Sequence, residues 1–331
     1  MSRTLVVLLR LGLLALALSG VLGSQAPQMS GPMLGYVFDP ALEGLRPIRG
    51  IPGAATLGEP LDLGTPIYDA AVSPRQDYAL AFAGADRKLA LARLTGASLA
   101  IAFVPGSWPD SARIILSPTG ATAVLYQPSA SRLLLITGLP QAPALAGVFD
   151  LWLLPGEATA LAVSDDGSAV LAAAGGGIFY LGPDGPPQLL SSAGEISSIA
   201  FLNGSTDAVF SDRLGSAVYR LRDPAGSREM ILLAGERDGI WEPTALALSG
   251  DNAQVFIVHR GPASVGIVPA AGGPLTQVAC ACSPATLQRL DGNSTFRLTE
   301  PSSMPLWVLE AAAEPRVVFV PPALRAAGQV W

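Results

Sequence analysis

Four acidic residues are the strongest candidates for chemistry in this sequence: Asp110, Glu157, Glu195 and Glu242. Each stands seven residues before the first residue of a recurring polar turn, so a repeated fold would place them at equivalent positions. Carboxylates gathered in this way create a negative potential, and their oxygens are ligands that Ca²⁺ prefers. Polar loops that lead into strands produce the same pattern in an acidic protein without any function. The four residues therefore define where to look for a ligand- or cation-binding site.

Other catalytic arrangements are scarce in the sequence. His259 is the single histidine, and it lies in an apolar run (VFIVHRG) that is typical of a strand. A Ser-His-Asp triad would depend on this residue, yet no G-x-S-x-G elbow is present. No P-loop, dinucleotide fingerprint or helical metal motif occurs either. This inventory favours a protein without catalytic machinery and predicts no catalytic residues.

Two cysteines, Cys280 and Cys282, lie in the segment TQVACACSP. We expect an outer strand here, in which residues two apart face the same side. An extended strand separates their Cα atoms by nearly the upper limit for a disulfide. The pair could form a Cys-x-Cys disulfide in an oxidising compartment, or remain two thiols without function.

A repeat organises the chain. Six times, an apolar stretch ends in a turn and a second apolar stretch follows. The residues that open the turns are Ser73, Ser117, Ser164, Leu202, Ser249 and Leu290. They are separated by 44, 47, 38, 47 and 41 residues, and two further apolar runs follow each pair. A period of about 43 residues with four short strands per unit predicts an all-β fold, a β-propeller with four-stranded antiparallel blades.

The turn residues support hairpins between the first two strands of each unit. They include the pairs Asp166-Gly167, Asn203-Gly204, Gly250-Asp251 and Gly292-Asn293. Such pairs tolerate the positive φ that two-residue hairpins require.

The N-terminal part of the repeat is incomplete. The segment from Tyr36 (YVFDPALEGLRPIRGIPG) resembles the outer hairpin of a blade, but no inner pair precedes it. We therefore expect a seven-fold ring with an incomplete N-terminal blade, and a six-bladed ring is the alternative. A pair of β-sandwiches is a third architecture, but it would not require six turns in phase.

The two ends of the chain differ from the repeat. Arg3 and the apolar run from Leu11 to Gly23 predict a signal peptide over residues 1–23, and hence a secreted or periplasmic protein. An uncleaved anchor is the alternative, although Arg10 leaves the run short for a bilayer. We expect a linker at 24–33, one domain at 34–322 and a tail at 323–331. No other run is long enough to predict a membrane span in the mature chain.

Composition narrows the class of partner. Half of the residues are hydrophobic and 14% are charged, which argues against intrinsic disorder. The 36 glycines and 29 prolines suit many short strands and tight turns. A net charge of −6 without a basic stripe argues against nucleic-acid binding. An unidentified protein or small ligand remains as the partner.

The turn segments VSPRQDYALAF and VSDDGSAVLAA resemble the turn units of bacterial extracytoplasmic propellers of the TolB, YVTN and NHL types. The resemblance covers residues 66 to about 321. It implies a propeller, and such turns occur in propellers of unrelated function. Some propeller lactonases and related hydrolases hold a catalytic calcium at the channel mouth. The first hypothesis is therefore an extracytoplasmic binding or scaffold propeller, and the alternative is a calcium-dependent hydrolase or lactonase.

Overall fold

The strands form seven antiparallel sheets in the computed structural model, which describes residues 31–95, 99–182, 185–192, 194–261 and 263–321. The predicted signal peptide (1–23) lies outside these residues, as do the predicted tail (323–331) and most of the predicted linker (24–33). The ring of sheets is a seven-bladed β-propeller. In the described part of the chain, no helix has the length and apolar content needed to cross a bilayer.

Each blade is a meander of consecutive strands. Blade 1 comprises β1 (Met33–Asp39), β2 (Gly44–Arg49) and β3 (Thr56–Leu57). Blade 2 comprises β4 (Ile67–Val72), β5 (Tyr78–Ala83), β6 (Lys88–Arg93) and β7 (Ala100–Phe103). Blade 3 comprises β8 (Arg113–Leu116), β9 (Ala123–Gln127), β10 (Arg132–Thr137) and β11 (Ala144–Asp150). Blade 4 comprises β12 (Ala160–Val163), β13 (Val170–Ala174), β14 (Gly177–Leu181) and β15 (Gln188–Ser192).

The remaining three blades repeat this order. Blade 5 comprises β16 (Ile196–Phe201), β17 (Ala208–Asp212), β18 (Ala217–Arg222) and β19 (Glu229–Ala234). Blade 6 comprises β20 (Pro243–Leu248), β21 (Gln254–His259), β22 (Ser264–Pro269) and β23 (Thr276–Ala279). Blade 7 comprises β24 (Gln288–Arg289), β25 (Thr295–Arg297), β26 (Leu306–Glu310) and β27 (Arg316–Val320). Two 3-10 turns cover Pro128–Ala130 and Glu236–Asp238.

The predicted hairpins are present, but their loops are longer than two residues. In all six, the backbone N–H of the turn-opening residue donates to the carbonyl five residues later, as from Ser164 to Ala169. Four residues thus separate the paired ends, and Gly167 within the loop has φ +72°. In the Gly250-Asp251 turn the positive φ falls instead on Asn252, at +61°. Asparagine tolerates this conformation better than most residues.

The core lies between the blades. Among the described residues there are seven hydrophobic clusters, and each joins two neighbouring blades. One of them packs Leu34 and Val37 of blade 1 against Leu290 and Val308 of blade 7. The ring is therefore closed by apolar packing. The backbone N–H of Leu57 adds a hydrogen bond to the carbonyl of Pro321.

Blade 1 lacks an innermost strand in the described residues. The start of β1 lies beside an inner hairpin turn, because the N–H of Asp291 donates to the carbonyl of Leu34. Its end lies beside the start of blade 2, because the N–H of Ile67 donates to the carbonyl of Glu43. β1 therefore runs in the same direction as the second strand of each of the other blades. The incomplete N-terminal blade predicted from the sequence is thus confirmed, with β1 to β3 as its strands. The expectation that the Tyr36 segment is an outer hairpin is wrong, because β1 and β2 take the second and third positions and the described residues lack only the innermost strand.

Candidate functional site

The propeller has two different faces. One face carries the blade-to-blade connections and the turns between second and third strands, and we call it the connection face. The opposite face carries the turns between first and second strands, and we call it the hairpin face. Backbone hydrogen bonds from Arg213 to Glu195 and from Arg260 to Glu242 join second-strand turns to the segments that lead into the inner strands. Both glutamates therefore lie on the connection face.

Glu195 and Glu242 lie close together because they share one arginine. Arg213, in the turn after β17, donates from Nε to a Glu195 carboxylate oxygen at 2.9 Å, and its Nη2 donates to the other oxygen. Its Nη1 lies 3.5 Å from Glu242, and Arg260 lies 4.0 Å from the same carboxylate. The hydrogen bond from Arg213 holds the pKa of Glu195 below its ordinary value. These two carboxylates are already neutralised by cationic side chains.

The other two predicted acids lie elsewhere on the same face. Asp110 lines an open cavity between blades 2 and 3, where the Arg87 guanidinium stacks on the Tyr68 ring at 4.6 Å. Glu157 precedes the inner strand of blade 4 and is exposed. Beside it, the Ala158 N–H donates to the Tyr126 hydroxyl at 3.3 Å. The acids thus precede the inner strands of four consecutive blades, and among the described residues only Glu195 and Glu242 share a partner.

Metal chemistry at this face remains a hypothesis. Among the described residues, no three histidine, cysteine, aspartate or glutamate side chains gather in a way that could hold an ion. The predicted ring of Asp110, Glu157, Glu195 and Glu242 therefore stays a prediction, as does calcium.

Arg213 was not singled out by its sequence, although its position could have been found from the register. It follows β17 directly, as Arg260 follows β21, and both therefore reach the segments that lead into the inner strands. Two tryptophans were also missed. Trp152 and Trp241 lie in the connections before blades 4 and 6, and they are 72% and 51% exposed. For Trp241 the signal was a tryptophan within the polar segment GERDGIWEP, whereas Trp152 lies in an apolar run that gave no such signal.

Exposed apolar side chains occur on the connection face of several blades. Those exposed there are Leu42, Trp152, Leu153, Leu214, Trp241 and Met304. Leu214 follows Arg213, and its turn contacts the next blade, because the Glu242 N–H donates to the Ser216 hydroxyl at 3.2 Å. Leu214 and Trp241 therefore flank the ion pairs of Arg213. The exposed apolar residues of the outermost strands, such as Phe103 and Phe319, are instead spread around the rim.

His259 is buried at the connection end of β21, with 3% of its surface exposed. Its Nδ1 accepts a hydrogen bond from the Trp241 backbone N–H at 3.2 Å, which places the proton of the neutral ring on Nε2. Burial lowers the pKa of His259 below 6.5, against the smaller opposing effect of that hydrogen bond. Within the described part of the chain, neither Nε2 nor the buried Ser264 hydroxyl has a hydrogen-bond partner. His259 thus supports the Trp241 loop through its Nδ1.

The cysteines lie beyond the outer strand that was expected to contain them. β23 ends at Ala279, and the chain bends after Cys280. The bend brings the Cα atoms of Cys280 and Cys282 to 5.0 Å, closer than an extended strand allows. The structure pairs the two sulfurs. Formation of the disulfide in the protein stays a prediction, which mass spectrometry of unreduced material tests.

Comparisons with known proteins agree on the class of fold. No protein-family model and no curated sequence matches the chain. A functionally unknown protein from Desulfotomaculum acetoxidans DSM 771 is similar, with a TM-score of 0.60 and 14% identity over 88% of this chain and 100% of that one.

Two further solved structures are similar to the chain. Virginiamycin B lyase from Staphylococcus aureus, solved as a catalytically inactive variant with quinupristin, has a TM-score of 0.53 and 14% identity, over 80% of this chain and 87% of that one. Hsv2 from Kluyveromyces lactis has a TM-score of 0.51 and 12% identity, over 74% of each chain. At these identities the likeness concerns the fold alone, which is that of a propeller repeat protein.

Proposed function

We propose that this protein is an extracytoplasmic, non-catalytic binding or scaffold propeller whose connection face docks a folded protein partner. The observation that carries the proposal is that the exposed side chains of Leu214 and Trp241 adjoin the Arg213 ion pairs. Export, and hence a secreted or periplasmic location, rests on the signal peptide predicted at residues 1–23.

The side chains on this face are those that protein interfaces use most. Tryptophan and arginine are enriched among the residues that contribute most to binding. Trp241 and Leu214 lie on either side of a partly buried arginine, so one partner surface could contact all three. The carboxylates of Glu195 and Glu242 fix the guanidinium of Arg213, which lowers the entropy lost on binding.

The partner of this surface is a protein with a complementary apolar patch. Nucleic acid is disfavoured by the net charge of −6. A small ligand would need a concave site, whereas Leu214 and Trp241 are 65% and 51% exposed. We expect no hydrolase activity to accompany binding at this face.

Photo-crosslinking tests the proposal. A photoreactive amino acid is placed at Leu214, which is 65% exposed, or, as the control, at Gln188, which is exposed on the outermost strand of blade 4. In the envelope of the source cell, we expect a discrete crosslinked species from position 214 and none from position 188. Trp241→Ala in the same chain should remove that species without lowering the melting temperature by more than about 2 °C.

Two results would overturn the proposal. The first is the same crosslinking pattern from both positions. The second is a crosslink from position 214 that persists at full yield when Trp241 is replaced by alanine.

A further inference from the structure

One inner strand departs from the repeat next to its turn. The residue immediately before the turn-opening position is apolar in five blades: Val72, Leu116, Val163, Phe201 and Leu248. In blade 7 the same position holds Arg289. A charge where the other blades have apolar residues needs a structural or functional reason.

Arg289 lines a cavity of about 280 Å³ in the central channel. The inner strands of blades 3 to 7 form its wall, with Leu161, Ile199 and Leu246 among the apolar side chains. Among its described lining residues, Arg289 is the only one that carries a charge. The cavity is thus an apolar chamber with one cation at its hairpin end.

The guanidinium of Arg289 is held by backbone carbonyls. Its Nε donates to Pro74 at 3.4 Å and its Nη2 to Pro118 at 3.0 Å. Its own carbonyl accepts from Gln76 Nε2 at 2.8 Å, and Gln76 Oε1 accepts from the Tyr36 N–H at 2.6 Å. These contacts span the place where blade 1 lacks an inner strand. The fold therefore fixes the guanidinium in position.

Among the described residues, no carboxylate forms a direct ion pair with Arg289. Removal from water is the main cause of the lowered pKa of Arg289; the negative charge of Asp165 opposes this effect, and the positive charge of Arg75 adds to it. A partly buried cation without a directly paired counter-ion is unfavourable, and an anion bound beside it would supply that partner.

We propose that the central channel binds a small aliphatic carboxylate, with its carboxylate against Arg289 and its chain along Leu161, Ile199 and Leu246. The volume lies at the lower end of ligand sites, which favours a medium-length chain. This site is separate from the docking surface on the connection face, so either proposal can fail without the other.

Calorimetry with octanoate tests this site, with octan-1-ol and octylamine as matched probes of the same length. We expect octanoate to bind at least tenfold more tightly than the alcohol, and the amine not to bind. Equal affinities for acid and alcohol, or no binding of octanoate, would overturn the proposal.

Two variants locate the site. Arg289→Met keeps the length of the side chain and should weaken octanoate binding at least tenfold. Arg75→Met removes an exposed charge from the turn that follows β4 and should leave the affinity within twofold. Unchanged binding by Arg289→Met would contradict the inference.

A third variant tests the site if Arg289→Met fails to fold. Ala200→Leu fills the channel from the inner strand of blade 5 and leaves Arg289 in place. It should lower octanoate affinity at least tenfold. If octanoate still binds this folded variant as it binds the wild type, the ligand lies outside the channel.

Discussion

The two faces of the propeller use their polar groups differently. On the hairpin face, turn residues hydrogen-bond to one another and to the next blade: the Thr119 N–H and hydroxyl donate to Asp165, and Asn203 Nδ2 donates to the Gly250 carbonyl. On the connection face, the ion pairs of Arg213 lie between exposed apolar side chains. The hairpin-face bonds therefore link neighbouring blades, whereas the connection face carries exposed apolar side chains, to which we propose that a partner docks.

Replacing Asp165 should cause the largest loss of stability among the variants proposed for the two faces. Its carboxylate accepts from Thr119 N and Oγ1 at 2.8 and 2.6 Å and from Gly204 N at 2.8 Å, and it thus links blades 3, 4 and 5. Asp165→Ala should lower the free energy of unfolding by roughly 2–3 kcal/mol, measured by urea denaturation. Asp86→Ala is the control, because that side chain is 74% exposed, and it should change stability by less than about 0.5 kcal/mol. Equal losses would mean that the hairpin-face bonds do not stabilise the ring.

Gly167 gives a smaller effect on the same face. Its φ of +72° is strained for any residue with a Cβ atom, and a Cβ there would lie 3.3 Å from Thr137 Cγ2. Gly167→Val should destabilise by about 1–2 kcal/mol. Gln188→Ser, on an exposed outer strand, should leave the melting temperature nearly unchanged. Matching melting temperatures for the two variants would argue against this turn conformation.

On the connection face, the burial of His259 predicts how the stability of the fold depends on pH. Because burial depresses its pKa in the folded state, the unfolded chain binds the proton first as the pH falls below 6.5. The resulting stability is present above that pH and is lost on acidification, by at most about 1.4 kcal/mol per pH unit. NMR of the single imidazole follows the titration directly.

His259→Asn isolates this effect, because its amide oxygen can still accept from the Trp241 N–H but does not titrate. The variant should show a shallower loss of stability between pH 7 and pH 5 than the wild type. If the two slopes coincide, His259 titrates normally, and its burial has no consequence for the Trp241 loop.

Calcium is expected to have the smallest effect. The calcium hypothesis predicts a higher melting temperature with added Ca²⁺, and loss of that rise in Glu195→Gln. Since Arg213 already forms ion pairs with Glu195 and Glu242, we expect added Ca²⁺ to raise the melting temperature by less than about 1 °C in a thermal scan. A larger rise that Glu195→Gln removes would restore a metal site at the channel mouth, and with it the hydrolase alternative.

The sequence alone was enough to determine the repeat. The turn-opening residues from Ser73 to Leu290 are followed by residues that favour a turn, such as Asp166-Gly167. The conformation of such residues depends mainly on their neighbours along the chain. Apolar runs of strand length flank each of them. These features predict four strands per unit and an incomplete first blade, and both are present in the fold.

Contacts between blades were decided only by the tertiary structure. Glu195 and Glu242 have equivalent positions in sequence, but whether they attract a cation depends on Arg213, which lies in a turn packed against both glutamates. The position of Arg289 is likewise given by the register, whereas its role depends on Pro74 and Pro118, which lie more than 170 residues away. The bend that brings Cys280 to Cys282 follows the end of a strand that the sequence predicted to continue. A sequence pattern reports local conformation, and electrostatic partners come from distant segments that meet only when the ring closes.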